Sequence, residues 1–311
     1  MAFLYGGLIG ISVSTLLGYI YVSELLSFNL NLGLAKRMYV FGASVLTTSL
    51  CFVLLTSTSR LFLSFYGSFV DVAIVGIAIK LSLFVGAILV APFGLAWLPF
   101  VNEISGLTGF QDIIRKVQLL YTIASGLLIL TISLFSREIL MLANDQEYML
   151  ASDYVSFFAI SYLLQGLYLI YSSGIYLQKK SKHYLYIALG TTAVNLILYI
   201  VFLDYLTVLV ASLITVASFM FQLGITIYYS RDIIKIKLLN KDMVIVMVVM
   251  LSILFTTEFY VDFIPITYSI LLRLVFIILF LLVSLFLTSA STDFSKVVVL
   301  FQEKFLKRKK V

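Results

Sequence analysis

Apolar residues fill this chain in blocks of roughly 20, with short polar or charged connections between them. A block of about 20 residues is long enough for an α-helix to cross the hydrocarbon core of a bilayer. Residues 137–143 form a short amphipathic segment, which predicts a helix at the membrane surface. The predicted fold class is all-α, a polytopic bundle of membrane helices. We place about nine transmembrane helices, at residues 2–22, 39–63, 73–101, 113–134, 155–177, 184–203, 207–229, 243–259 and 267–289.

Composition supports a membrane protein and argues against a water-soluble one. Hydrophobic residues make up 62% of the chain and charged residues 12%, whereas about 25% of the residues in a soluble domain are charged. The net charge of +6 comes from basic residues that lie between the apolar blocks. They do not form a basic stripe with interleaved aromatic residues, so no nucleic-acid partner is predicted.

Two rare residue types limit the chemistry that the chain can perform. Cys51 is the single cysteine and His183 the single histidine, so an internal disulfide and a cysteine-based metal site are excluded. His183 lies among lysines, which favours a solvated loop residue over a zinc ligand.

The connections between the predicted helices are shorter than ~20 residues, too short for a packed soluble domain with an active site. We predict no metal, no cofactor and no enzymatic activity.

Basic residues predict the orientation, because lysine and arginine are retained on the cytoplasmic side of a membrane. Alternate connections and the C-terminal tail carry most of the 21 basic residues. The opposite connections carry Arg60 and Arg137 together with several acidic residues: Asp145, Glu147, Asp204, Glu258 and Asp262. The predicted topology places the N-terminus outside and the C-terminus in the cytoplasm.

Three basic residues lie inside the apolar blocks, where inserting a charge costs about 2.5–3.5 kcal/mol. Lys80 shares a helical face with four small residues: Ala73, Gly76, Ala87 and Ala91. Small side chains let another helix approach or leave room for a cavity, so Lys80 is either functional or a structural partner of a neighbouring helix. Arg60 lies on a helical stripe of serines and threonines. The stripe indicates a water-facing surface, or the arginine extends to the outer membrane interface. Arg273 has isoleucine neighbours, which favours packing between helices or contact with lipid headgroups.

Polar side chains also cluster on single faces of two predicted helices. Tyr162, Gln165 and Tyr168 share one face of the fifth helix, and Gln118 belongs to a similar face of the fourth. Such faces either join helices through hydrogen bonds or line the path of a hydrophilic ligand, and both interpretations stay open. Two prolines interrupt the third helix and predict kinks that suit bending between two states: Pro92 and Pro99.

With these residues, the chain resembles the polysaccharide-biosynthesis (Wzx-type) flippases, within the superfamily that also includes multidrug and toxic-compound exporters. Residues 60–67, Arg-Leu-Phe-Leu-Ser-Phe-Tyr-Gly, are similar to the pattern of the family's seventh helix. Lys80 and residues 96–100, Ala-Trp-Leu-Pro-Phe, look like its eighth helix. Residues 166–182 resemble the tenth helix with its basic loop, and Asn195 matches an asparagine of the eleventh. The similar stretches span roughly residues 1–229.

The resemblance implies two six-helix lobes around a partly cationic cavity in the cytoplasmic membrane of a bacterium. Undecaprenyl-diphosphate-linked oligosaccharides for O-antigen or capsule would be flipped outward by alternating access, with coupling to a proton or sodium gradient. Arg60 and Lys80 are then expected to attract the diphosphate. The sugars are expected to contact the polar helix faces, at Gln118, Tyr162, Gln165 and Tyr168.

The resemblance also implies a domain organisation and exposes departures from the family. Residues 1–35 would be a residual first-lobe helix with its connector, 36–230 a six-helix lobe, and 231–311 two additional helices with a basic tail. Ser59 replaces the family's aspartate, and Ile79 replaces the tyrosine before Lys80. Most of the first lobe has no counterpart, so we expect a truncated form, a misplaced start codon, or a partner chain that supplies the missing half.

Three alternatives to a flippase remain open. A chain that only inserts, or that assembles with polysaccharide polymerase machinery, would be a non-transporting scaffold or an inactive remnant. An exporter of small amphiphiles or cationic drugs predicts acidic residues inside the bundle, whereas this chain has basic ones. An intramembrane glycosyltransferase would need a large external loop with clustered carboxylates or histidines, and the connections here are short.

Overall fold

A computed structural model of the chain describes residues 2–22, 32–107, 109–142, 146–178, 180, 182–234, 241–260 and 266–290. Every regular element in these ranges is helical, which confirms the all-α prediction. The α-helices are α1 Ala2–Val22, α2 Leu32–Tyr66, α3 Phe69–Val85, α4 Ala91–Ile104, α5 Phe110–Leu134, α6 Ser136–Leu142, α7 Ser152–Leu177, α8 Lys182–Val201, α9 Val208–Ser230, α10 Lys241–Tyr260 and α11 Ile266–Ala290.

Six helical segments are long and apolar enough to cross a membrane, in the part of the chain that the structure describes. Their mean hydropathy ranges from 1.4 to 3.1, and they support a multi-pass membrane protein. The six segments are Phe69–Ile104, Phe110–Leu134, Tyr148–Leu177, Lys182–Val201, Val208–Ser230 and Tyr268–Thr288. The count of nine crossings and the arrangement in lobes stay predictions.

The described helices differ from the predicted ones mainly at their ends. Helix α1 has the predicted bounds, whereas α2 begins at Leu32, seven residues before the predicted start. The predicted amphipathic segment is α6. Several basic residues used for the orientation lie outside the described residues: Lys179, Lys235, Lys237 and those of the tail from Lys296 onward.

The chain divides into two compact units, residues 1–45 and 46–311. In the second unit, α7 is central and packs against α3, α5 and α9. Helix α8 packs on α9, and α10 and α11 pack on α5. The larger hydrophobic cluster includes Ile129 of α5 and Leu163 and Ile170 of α7, all fully buried or nearly so. A smaller cluster joins α3, α7 and α9 through Val75, Val155 and Ala211, so burial along α7 holds this unit together.

Local chemistry explains where α3 begins. The Asp71 backbone N–H donates to the Ser68 Oγ at 3.1 Å, and the Ser68 backbone N–H donates to the Asp71 Oδ2 at 3.0 Å. This reciprocal capping box satisfies two amide groups that the first turn of a helix leaves without partners. The cap follows a tight connection at Gly67, where a Cβ atom would lie 2.9 Å from the Leu63 carbonyl oxygen.

The predicted proline kinks fall in one continuous helical stretch. A π-helical turn, Gly86–Val90, joins α3 to α4, and Pro92 follows it in the first turn of α4. Proline lacks an N–H and its ring clashes with the carbonyl group four residues earlier, so a widened turn before Pro92 accommodates the ring. Pro99 lies inside α4. Kinks occur at π-turns and prolines, and bending of this stretch during function remains a prediction.

Glycine residues permit close contacts between the packed helices. A Cβ atom on Gly166 of α7 would lie 1.8 Å from the Tyr121 hydroxyl oxygen of α5. On Gly126 of α5, a Cβ atom would lie 2.7 Å from the Phe280 ring of α11. Small residues at helix interfaces let helices or large side chains approach closely, and here they seat aromatic rings against neighbouring backbones.

Candidate functional site

Arg60 lies on α2, two turns before the end of that helix, with an exposed side chain. Its guanidinium is close enough to Tyr162 of α7 to act electrostatically on the phenol. The preceding residue, Ser59, is buried and lies near the Tyr199 hydroxyl of α8. Phe62, one turn further on, stacks on the Tyr199 ring with a centroid distance of 4.7 Å. Ser59 and Phe62 therefore fix α2 against α8, and Arg60 projects from the opposite part of the same turn.

The predicted polar face of α7 consists of Tyr162, Gln165 and Tyr168, all half-buried. We call these three residues the α7 polar face. Tyr162 touches the π-turn, because a Cβ atom on Gly86 would lie 2.6 Å from its ring. Tyr168 lies near Tyr184 of α8 and interacts with it electrostatically. The α7 polar face is thus bordered by the π-turn on one side and α8 on the other.

Two hydrogen bonds connect the C-terminal part of α7 to α4 on one side and to α8 on the other. On one side, the Asn102 Nδ2 of α4 donates to the Tyr176 hydroxyl at 3.0 Å. On the other, the Tyr184 hydroxyl of α8 donates to the Ser172 carbonyl oxygen at 2.7 Å. Phenol, hydroxyl and amide groups therefore run along one side of α7, a composition suited to hydrogen bonding and ring stacking with a polar ligand.

Lys80 lies on the side of α3 opposite its buried residues, and its side chain is exposed. Within the described ranges, no ion pair or hydrogen bond of its ammonium group is found. Of the small residues predicted to share its face, Ala87 and Ala91 are exposed, Ala73 and Gly76 are half-buried, and no side chain lies within 4 Å of a Cβ atom placed on Gly76. A lysine inside a segment long and apolar enough to cross a membrane is therefore left on an open face.

Gln118 forms its side-chain contacts with residues that were not predicted to belong to the site. It is buried on α5, where its Nε2 donates to the Tyr171 hydroxyl at 3.1 Å and contacts the Met243 Sδ of α10 at 2.9 Å. Tyr171 follows Tyr168 by one helical turn. The structure thus brings Arg60 near Tyr162 and connects Gln118 to α7 at Tyr171.

The structure also reveals a polar cavity that the sequence patterns did not predict. It has a volume of about 190 Å³ and lies where the ends of α5, α7 and α10 meet α11. Arg273 lines it, 4% exposed, with its Nη1 donating to the Leu134 carbonyl oxygen at 2.6 Å and paired with the Glu138 carboxylate of α6. This position agrees with the packing role predicted for Arg273. The remaining lining residues are Ser133, Leu134, Ser136, Arg137, Ser152, Asp153, Ser156, Leu254 and Thr257.

One sequence signal pointed to this cavity. Four serines flank the connection from α5 to α7, at positions 133, 136, 152 and 156, beside the charged pair Arg137 and Glu138. Hydroxyl groups at this density near two adjacent helix ends indicate a polar site. The contribution of α11 has no such signal, because Arg273 is distant in sequence.

Metal binding has no support among the described residues, which include no group of three histidine, cysteine, aspartate or glutamate side chains arranged to hold an ion. Comparison with known proteins found no matching family model, no matching curated protein and no matching solved structure. The resemblance to the flippases thus rests on the sequence patterns around Arg60, Lys80 and residues 166–182.

Proposed function

We propose that the chain moves an anionic lipid-linked oligosaccharide, of the undecaprenyl-diphosphate type, across the cytoplasmic membrane of a bacterium. The observation that carries the proposal is Lys80, a cation on an exposed helix face inside a membrane span, with no counter-charge beside it among the described residues. A charge in this position costs about 2.5–3.5 kcal/mol to insert, so its retention calls for a partner or a ligand. A diphosphate passing along the open face of α3 supplies that ligand.

Arg60 and the α7 polar face support the same proposal. Arginine recognises phosphate through several donors held in a planar fork, and Arg60 is exposed beside the half-buried Tyr162. Tyrosine rings pack well against the apolar faces of sugars while their hydroxyls form hydrogen bonds. In this proposal Lys80 attracts the diphosphate on the open face of α3, Arg60 attracts it beside Tyr162, and the sugars follow the α7 polar face. Alternating access requires a second body that rocks against this one, and the open face of α3 is where we place it.

Neutral substitutions at the two cations test the proposal. We expect Lys80→Gln and Arg60→Gln each to lower the export of surface polysaccharide about tenfold or more, because a hydrogen bond to a charged group contributes about 1.5–3 kcal/mol. The assay is complementation of a strain that lacks its own flippase, with and without a co-expressed first lobe. The matched control is Lys182→Gln, an exposed lysine at the start of α8, which should export normally. Full export by both cation variants at normal expression would refute the role of the cations.

A non-transporting scaffold is the second candidate, and one observation favours it. Many of the polar side chains inside the bundle bond their own or neighbouring helices, as Gln118 does with Tyr171 and as the Asn195 Nδ2 does with the Ser218 Oγ at 2.9 Å. Polar groups consumed in this way stabilise a static bundle. A scaffold would leave export unrescued under both complementation conditions while the chain still inserts in the membrane.

The orientation is a further part of the proposal, with the N-terminus outside and the C-terminus in the cytoplasm. Cys51 is the only cysteine of the sequence, so Cys51→Ala provides a background for single-cysteine labelling. In intact cells, a membrane-impermeant maleimide should label Asp204→Cys, in the connection from α8 to α9. It should label Ser105→Cys, after α4, only when the membrane is permeabilised. The reverse pattern would contradict the proposed topology.

A further inference from the structure

The cavity between α5, α7, α10 and α11 contains groups of both charges and is separate from Lys80 and the α7 polar face. Arg273 and Arg137 contribute positive charge to its lining, and Asp153 contributes negative charge. Glu138, the ion-pair partner of Arg273, adds a second carboxylate beside it. The remaining polar residues of its lining are Ser133, Ser136, Ser152, Ser156 and Thr257. A ligand of one sign alone would meet a repelling group in this cavity.

Three buried polar atoms around this cavity have no hydrogen-bond partner among the described residues: the Arg273 Nε, the Glu138 Oε2 and the Ser133 Oγ. The Arg273 side chain is only 4% exposed, so its unused N–H is shielded from bulk water. Buried polar groups in native proteins are almost always satisfied, by protein, by water or by a ligand. Two of these residues, Arg273 and Ser133, line the cavity, so it is bordered by one charged donor and one hydroxyl that still require partners.

The size of the cavity limits what can satisfy these groups. Pockets for drug-sized ligands measure about 300–1,000 Å³, so about 190 Å³ is too small for an oligosaccharide. It is large enough for one small polar group or for several waters, each of which takes about 30 Å³ of liquid volume. A group that carries both an anion and an N–H donor would match the Arg273 Nε, the Ser133 hydroxyl and the Asp153 carboxylate together.

The position of the cavity points to the source of such a group. Leu134 ends α5, Ser152 begins α7, and Leu254 and Thr257 lie in the last two turns of α10. The cavity thus sits near the helix ends of the span region, at the level where lipid headgroups meet a membrane protein. In the proposed topology this is the outer leaflet.

We infer that this cavity binds a phosphate ester bearing a primary ammonium group, the chemistry of a phosphatidylethanolamine headgroup. The phosphate accepts from the Arg273 Nε and the Ser133 Oγ, which have no other partner among the described residues. The ammonium donates to the Asp153 carboxylate, which lines the cavity. The bound headgroup connects α11 and α6 to the ends of α5 and α7, while the acyl chains of the lipid remain in the bilayer.

The test compares two lipids that differ in one feature. The purified full chain, stripped of lipid in detergent, is titrated with dihexanoyl phosphatidylethanolamine or with dihexanoyl phosphatidylcholine, whose quaternary ammonium has no N–H to donate. We expect the ethanolamine lipid to bind about tenfold more tightly, because choline cannot donate a hydrogen bond to the Asp153 carboxylate. Equal binding of the two lipids, or no saturable binding of either, would overturn the inference.

Variants locate the site, and a soluble probe identifies its source. Ser156→Leu fills the cavity without removing the ion pair and should abolish the preference for ethanolamine, whereas Ser64→Leu, an exposed serine of α2 that does not line the cavity, should retain it. An unchanged preference in Ser156→Leu would also overturn the inference.

Lipid-free phosphoethanolamine is the third probe. Weaker binding than the lipid assigns the site to the membrane, and equal binding supports the same site with a soluble ligand.

Discussion

Replacing Arg273 by methionine is expected to destabilise the protein by about 3 kcal/mol, as for other buried ion pairs that lose one partner. The change leaves the Glu138 carboxylate, 21% exposed, without its counter-charge. It also removes the donor to the Leu134 carbonyl oxygen at the end of α5. We place the value at the low end of the known range because Glu138 retains some contact with solvent.

Unfolding by dodecyl sulfate in dodecylmaltoside micelles provides the measurement. Trp97 is the single tryptophan of the sequence and is 2% exposed, so its fluorescence reports loss of the core. A matched control is Arg231→Met, since Arg231 is exposed and lies over the Tyr228 ring at 4.4 Å. Its removal should cost about 0.5–1 kcal/mol.

A double variant separates a lost pair from a lost side chain. Arg273→Met combined with Glu138→Met removes both charges, and replacing a whole buried pair by apolar residues is often neutral. We therefore expect the double variant to be more stable than Arg273→Met alone. If the two single variants and the double variant were equally destabilised, the ion pair would not be the cause.

The helices were the most predictable feature of the chain, because each apolar block of about 20 residues has few ways to bury itself other than as a helix in a bilayer. The prediction began α2 at residue 39 because hydropathy decreases at Lys36 and Arg37. The helix nevertheless begins at Leu32, since backbone hydrogen bonding can continue past the point where side chains become polar. Sequence hydropathy thus reports the hydrocarbon-spanning part of a helix and misses its continuation.

The candidate site could be predicted only in part. The helical period places Tyr162, Gln165 and Tyr168 on one face of α7, and the structure keeps them together. The period cannot give the rotation of one helix against another, so it could not predict that Gln118 of α5 contacts the Tyr171 hydroxyl and the Met243 Sδ. Arg273 and Glu138 are 135 residues apart in the chain, so no local pattern could have paired them.

The substitution of Gly166 by alanine is expected to cost about 1–3 kcal/mol or more, the range found when atoms are forced into a packed core. The added Cβ atom would lie 1.8 Å from the Tyr121 ring and hydroxyl, far inside van der Waals contact. Tyr121 has little freedom to move away, because its hydroxyl donates to the Tyr162 carbonyl oxygen at 3.3 Å and its ring packs on Phe93 at 4.9 Å. Helices α5 and α7 must separate or Tyr121 must leave its site.

A second glycine shows that the effect of Gly166→Ala is steric rather than a matter of helix propensity. Gly224 lies on α9, and no side chain lies within 4 Å of the position that its Cβ atom would take, so Gly224→Ala should stabilise the protein by up to about 1 kcal/mol. The two alanine substitutions are chemically identical and should change the unfolding midpoint, measured by Trp97 fluorescence, in opposite directions.

Adding Tyr121→Leu to Gly166→Ala removes the overlapping ring atoms, so the combined loss of stability should be smaller than the sum of the two single losses. Strict additivity would mean that α5 and α7 do not meet at Gly166, and the packing that positions the α7 polar face would have to be revised.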